Sequence, residues 1–323
     1  MNRSRILRIT GVGLVFVLLG AAQETPIGSK WWPSPWGPDD QRGAANRMTP
    51  RKVQEATGLI KKGQVFQLGR PYEFGMPMPP GSKRHFSLTI PGSPTGADPN
   101  SPLVHHDELV SGELGQVGTQ LDGLGHIGVR MKDDDYFYNG FKRSQFGTAY
   151  GLTKLGVENV GVFFTRGVLI DMAAYKGVER MSVGDAISDK DIQGAFKKEG
   201  LEIAEGDIVL IRTGHGQLWM KDNEGYSKGE PGIDISAARW LAEKKVTLVG
   251  ADTWALEVNP SSDKEHPVGS CHIHLLMRNG IYILENLDLE QLAAEKVHEF
   301  AFIFAPLKLK GATGSPGNPI AVR

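Results

Sequence analysis

The stretches "VGVFFTRGVLIDM" (residues 160–172) and "EGDIVLIRTG" (residues 205–214) decide the fold. Each is a short run rich in Val, Ile, Leu and Phe that reads as a buried strand. Between them, "SDKDIQGAFKKEG" (188–200) opens on a Ser/Asp cap and closes on Gly200, the pattern of a helix. The alternation continues. "ISAARWLAEKK" (235–245) reads as helix, "VTLVGAD" (246–252) and "GIYILENL" (280–287) as strands, "LEQLAAEK" (289–296) as helix and "HEFAFIFAPLKL" (298–309) as strand. Strands alternating with helices predict an α/β architecture.

Upstream, "PRKVQEATGLIKK" (50–62) follows Thr49, and a Thr cap before Pro50 suits a helix start, with Val53, Ala56 and Ile60 at helical spacing. Residues 76–103 are rich in Pro, Gly and Ser and read as a long loop of the kind that forms lids or binding elements. "GSKWWPSPWGPDDQRGAA" (28–45) cannot be a regular helix. Its Trp31, Trp32 and Trp36 are expected on a surface of the chain or of a neighbouring subunit. The tail "KGATGSPGNPIAVR" (310–323) reads as irregular structure.

The 323 residues are 40% hydrophobic and 23% charged, an ordinary globular composition able to bury a core without staples. A formal charge of -1 gives no basic field for nucleic acid. A single cysteine, Cys271, excludes an intrachain disulfide and a thiolate zinc cluster. Residues 1–22 differ from the rest: a basic "MNRSR", a short apolar run and small residues at Gly20, Ala21 and Ala22 read as a secretory signal peptide. An uncleaved anchor is the alternative, although the clean apolar part is short for a membrane span. The expectation is a periplasmic or secreted chain with no stable span after cleavage and a single domain over 23–323.

Three groups among the nine histidines carry chemical interest: His105 with His106, His126, and His272 with His274, with Asp122, Asp252 and Glu285 around them. Imidazole, carboxylate and amide oxygens are the ligands expected for Zn²⁺ or Mn²⁺. In "GQVGTQLDGLGHIG" (115–128), glycines allow sharp turns and close backbone approach on either side of Asp122 and His126. The same stretch also reads as a plain turn with a solvated Asp and a hydrogen-bonded His. In "HPVGSCHIHLLMRNGIYILEN" (266–286), a strand would place His272 and His274 on one face and Cys271 on the other, which argues against a Cys–His nucleophile pair. Glu285 closes an apolar strand, either at the solvent rim or buried against a cation. No G-x-S-x-G elbow occurs.

Taken together, these residues resemble the cyclase family of metal-dependent hydrolases, which includes kynurenine formamidases, isatin hydrolases and trans-dienelactone hydrolases. The family pattern His-x-Gly-Thr-His-x-Asp-x-x-x-His is met by Gln116, Gly118, Thr119, Gln120, Asp122 and His126, with Gln at both early His positions. His272 in "HIHLL" and Glu285 in "ILEN" fall where later ligands stand. "WGPDDQRGAANRMTP", "RTGHGQLW", "GADTWALE" and "GATGSPGNPIA" extend the likeness over residues 31–323. The resemblance implies a swivelling β/α fold, a mixed sheet partly closed into a barrel and flanked by helices.

The resemblance also implies a metal-dependent hydrolase that cleaves a C–N or C–O acyl bond of a cyclic amide, lactone or N-formyl amine with metal-activated water. Asp122, His272 and Glu285 would hold one divalent metal, Zn²⁺ or Mn²⁺, helped by Gln120 or Gln116. From their place shortly before the loop, His105 or His106 could supply a further nitrogen. His126 would be the catalytic base or, alternatively, a further member of the coordination shell. Trp219 and Trp254 would shape the pocket of a small-molecule substrate. Relatives form dimers or tetramers, so a homodimer or homotetramer is expected, with the Trp-rich arm as a clasp. Two other readings stay open: a dehydratase or isomerase on the same scaffold, and a non-catalytic periplasmic binding protein that has lost its metal.

Overall fold

The computed structural model describes residues 24–25, 27–79, 81–91 and 100–323. The chain divides into two units, residues 1–30 and 31–323. In the first, Glu24–Thr25 pairs antiparallel with Gly28–Ser29. The signal peptide expected over 1–22 lies outside the described residues. Among those described, no helix is long and apolar enough to cross a membrane.

The second unit is built on a mixed nine-stranded sheet. In chain order its strands are β1 (Val65–Gln67), β2 (Gln120–Asp122), β3 (Phe163–Asp171), β4 (Ile208–Arg212), β5 (Leu248–Ala251), β6 (Tyr282–Glu285), β7 (Glu299–Phe304), β8 (Gly314–Pro316) and β9 (Ile320–Val322). Across the sheet the order is β8-β2-β6-β5-β4-β3-β7-β9-β1. The central strands β3, β4, β5 and β6 run parallel, and the outer pairings are antiparallel. Every residue of β4, β5 and β6 is buried. That explains their largely apolar sequence, because helices cover a parallel sheet on its faces.

Parallel neighbours need crossovers, and helices supply them. Helix α1 (Pro50–Thr57) starts with the Thr49 side chain accepting from the Lys52 backbone N. Helix α2 (Asp189–Glu199) carries a complete Ser188–Asp191 capping box and stops at Gly200, whose φ of 67° is left-handed. Helix α3 (Ile235–Glu243) is capped by Asp234. The buried faces of α2 (Ile192, Ala195, Phe196) and α3 (Ala237, Ala238, Leu241) join the main core.

Three local expectations are corrected. The Gly/Pro-rich tail is not irregular throughout, since it supplies β8 and β9. The 76–103 segment contains a strand, Phe86–Thr89, paired antiparallel with Leu109–Gly112. One face of this ribbon leaves Leu88, Ile90 and Val110 between 38% and 56% exposed. Finally, His272 and His274 are not on a strand: Ser270–His272 is α-helical and Ile273–Arg278 continues as a π-helical run. Alternation over four residues fits either state. The apolar Leu275, Leu276 and Met277 that follow are buried together and hold the segment as helix until Gly280, at φ 62°.

The Trp-rich segment packs on its own chain. Trp31 is buried, donates its ring N–H to the Phe137 carbonyl at 3.2 Å, and meets Trp32 edge-on at 4.6 Å between ring centroids.

Candidate metal centre

The site starts from β2. Alternation along a strand puts Gln120 and Asp122 on the same face, and both are buried. β6 runs antiparallel beside it, with Glu285 opposite Gln120. The Gln120 amide donates to Glu285 Oε2 at 2.8 Å. Just before β2, Gly118 has φ 62°, and a Cβ there would stand 2.8 Å from the Tyr72 ring, so no side chain fits. Thr119 Oγ1 donates to the Asn286 carbonyl at 2.8 Å, and Asn286 Nδ2 donates to the Gly118 carbonyl at 2.8 Å. These cross-links lock the two strand ends that carry the acidic groups.

The third group comes from the helix after β5. His272 Nε2 lies 3.5 Å from Asp122 Oδ2 and 3.4 Å from Glu285 Oε1. Asp122, His272 and Glu285 are all buried and offer ligand atoms within 4.8 Å of one another. On its other side, the imidazole's Nδ1 is hydrogen-bonded to Glu257 Oε1. Glu257 also accepts from the Cys271 backbone N at 3.1 Å. His126 is brought back by the turn Gly123–His126 rather than by a helix, and its Nε2 lies 3.9 Å from Asp122 Oδ2.

Hydrogen bonding within the chain leaves this group incomplete. Both Asp122 carboxylate oxygens, Gln120 Oε1 and both amide atoms of Gln116 are buried without a hydrogen-bond partner. At 3.5 Å, His272 is too far from Asp122 for a strong bond. Unsatisfied buried polar atoms are costly, and their concentration around one point marks a place for a ligand. The charges agree. Burial and the neighbouring Asp122 carboxylate push the Glu285 carboxyl up. Burial would also raise Asp122, but His126, His272 and Arg84 outweigh it and hold that carboxyl low. Burial would lower His272, but Asp122, Glu257 and Glu285 overcome it and raise it well above its ordinary value. Burial holds His126 low, so its neutral form is favoured. Two crowded carboxylates, one imidazole and a free amide oxygen fit a divalent cation.

The remaining predicted residues lie as follows. Trp219 and Trp254 are buried in one aromatic cluster with Phe86, Val117 and Tyr226. The Trp254 ring N–H donates to the Tyr226 carbonyl at 3.2 Å, while the Trp219 ring N–H has no partner. Asp252 accepts from Thr213 N, Thr213 Oγ1 and Gly214 N at 2.7–2.9 Å, so it anchors a loop. His105 and His106 are not part of the ligand group, and the nitrogen expected from them is absent; His105 sits 3.9 Å from Asp107. Burial, then Glu257, pushes the Cys271 thiol far up, so it is no nucleophile. Glu257 and Arg84 were not readable as site residues. Glu257 closes "GADTWALE" without any spacing signal, and Arg84 sits in a Pro/Gly-rich segment with no motif around it.

Fold and site together define an α/β protein with a buried Asp–His–Glu group suited to a divalent metal. The sequence profile of the Cyclase family matches residues 66–258, more than half of the chain, and the chain belongs to that family. A crystal structure described as a novel cyclase is 34% identical, with a TM-score of 0.77 over 89% of this chain and 98% of the other. Kynurenine formamidase of Bacillus cereus is 31% identical over 150 residues, 46% of this chain and 63% of that protein. The chain thus spans less than two thirds of the length of the curated relatives it matches. Isatin hydrolase A from Ralstonia solanacearum shares the fold, with a TM-score of 0.59 at 21% identity over 85% of this chain and 99% of the other.

Proposed function

We propose that this chain is a hydrolase that cleaves a C–N or C–O acyl bond, in a cyclic amide, a lactone or an N-formyl amine. The observation that carries the reading is the convergence of Asp122, His272 and Glu285 on one buried point where Asp122 and Gln120 leave oxygen atoms unpartnered. The family and the activities named for its relatives support the reaction class. Asp122, His272 and Glu285 would hold one divalent cation, Zn²⁺ or Mn²⁺, with Gln120 or Gln116 adding a neutral oxygen. When bound, such a cation polarises an acyl carbonyl and acidifies water. Glu257 fixes the His272 ring by holding its Nδ1, leaving Nε2 toward the two carboxylates. His126, kept neutral by burial, takes the proton from the attacking water and returns it to the leaving nitrogen or oxygen.

The test combines metal analysis with a panel of lactones, cyclic amides and formyl anilides. The wild-type chain should carry a divalent metal and hydrolyse at least one class. Asp122→Ala should lose both metal and turnover. His126→Ala should keep the metal and lose roughly 10²- to 10⁴-fold in rate. Unchanged hydrolysis in Asp122→Ala would sink the assignment. The basic head and apolar run of residues 1–22 support export, tested by whether fractionation finds a shortened chain outside the cytoplasm. The exposed apolar ribbon supports a homo-oligomer, and elution as a monomer would refute it.

A further inference from the structure

Arg84 is bonded to the turn just before the strand that carries Gln120 and Asp122, and its charge bears on Asp122, His126 and Glu285. It is held in place at two points. Its backbone N donates to Ser82 Oγ at 3.0 Å, and its Nη1 donates to the Gln116 carbonyl at 3.0 Å. Two residues further on, Phe86 packs edge-on against Tyr72, with 5.6 Å between ring centroids. Tyr72 in turn donates its hydroxyl to the Thr119 carbonyl, next to Gln120. The segment bearing Arg84 is therefore tied to the strand that bears the acidic group.

The guanidinium forms no ion pair with a carboxylate among the described residues. A guanidinium offers five N–H donors in a planar fork matched to a carboxylate, and here a single hydrogen bond to the protein uses it. Arg84 is only partly buried, so its open donors are within reach of a ligand. The electrostatic surroundings make this cation decisive. Glu257 is taken up by His272, and the Asp122 and Glu285 carboxyls face that same imidazole, so a ligand carboxylate finds its complementary charge in the Arg84 fork.

We infer that Arg84 is a specificity-determining residue of this site and recognises a carboxylate carried by the substrate beside the acyl group that is cleaved. This rests on the hydrolase reading above. It narrows the substrate class to amides or lactones bearing an acid group.

The experiment uses the metal-loaded full chain as wild type, Arg84→Lys and Arg84→Gln. Turnover is compared on formanilide and on its ortho, meta and para carboxylate derivatives. Separately, calorimetry measures benzoate and benzamide binding. Wild type should prefer at least one carboxylate derivative. Arg84→Gln should lose about 100-fold in kcat/KM on that compound, at least about tenfold more than it loses on formanilide; Arg84→Lys should recover part of the loss. Benzoate binding should weaken at least about tenfold in Arg84→Gln, and benzamide binding should not respond. Equal losses on charged and neutral substrates, or benzoate binding indifferent to Arg84→Gln, would overturn the inference. If wild type hydrolyses no formanilide, lactone or cyclic amide, the hydrolase reading fails by itself, and the benzoate titration still decides the role of Arg84.

Discussion

Glu257 shows how much of a site can sit one residue away from its ligands. Its carboxylate bonds the Nδ1 of His272 and accepts from the Cys271 backbone, so it sets both the tautomer and the tilt of the imidazole. Outer partners of this kind are worth about 10- to 100-fold in metal affinity. Glu257→Gln should therefore weaken metal binding by about that factor while leaving the fold intact, measured by competition with a chelator; unchanged affinity would mean that His272 is positioned by its helix alone. Asp122, His272 and Glu285, which the structure brings together, stood out in the sequence because Asp, His and Glu announce their chemistry by type, and Asp122 and His126 stand four apart among glycines. Glu257 and Arg84 were not legible, because their roles arise only from tertiary neighbours. The geometry of His272 was misread for a related reason: a four-residue alternation does not separate strand from helix, and the buried leucines that follow decide it.

At the scale of elements, the helices with end signals were readable and the short outer strands were not. Thr49 with Pro50, and Ser188 with Asp191 and Gly200, are local chemistry, and both helices begin where those residues stand. β2, β8 and β9 are three residues each and owe their existence to partners far away in sequence, which no periodicity can show. Helix α1 adds an anchor that its sequence did not advertise. Lys52, 4% exposed, donates to the fully buried Asp207 at 2.6 Å, where Asp207 also meets Arg166. Removing one partner of a buried ion pair costs about 3–5 kcal/mol. Because Arg166 remains, Lys52→Met should fall near the lower end, about 3 kcal/mol by denaturant unfolding. A single variant as stable as wild type would show that α1 is held by apolar packing alone.

Across the whole molecule, the parallel centre of the sheet and its antiparallel neighbour β7 were legible from strand and helix alternation, while β2, β8 and β9 came from segments read as turn and tail. The connection from β4 to α3 carries titratable groups, and one of them links stability to pH. His215 is 1% exposed, and its Nε2 is 3.0 Å from the Tyr226 carbonyl, a bond the neutral ring can make as donor. Burial, only partly offset by that bond and by Asp252, lowers its pKa. The unfolded chain then binds a proton at about pH 6.5 that the folded chain refuses. Protons taken up more readily by the unfolded state mean that stability rises with pH in this window. The contribution of a neutral His215 is thus present above about pH 6.5 and is lost as pH falls through the window down to its lowered folded value. His215→Gln keeps a donor for Tyr226 without titrating. In melts between about pH 7.5 and 5, wild type should lose more of its melting temperature than His215→Gln, with a difference on the order of 2–4 °C per kcal/mol of linkage. Parallel pH profiles for the two proteins would place the acid sensitivity elsewhere and leave His215 as a packing residue.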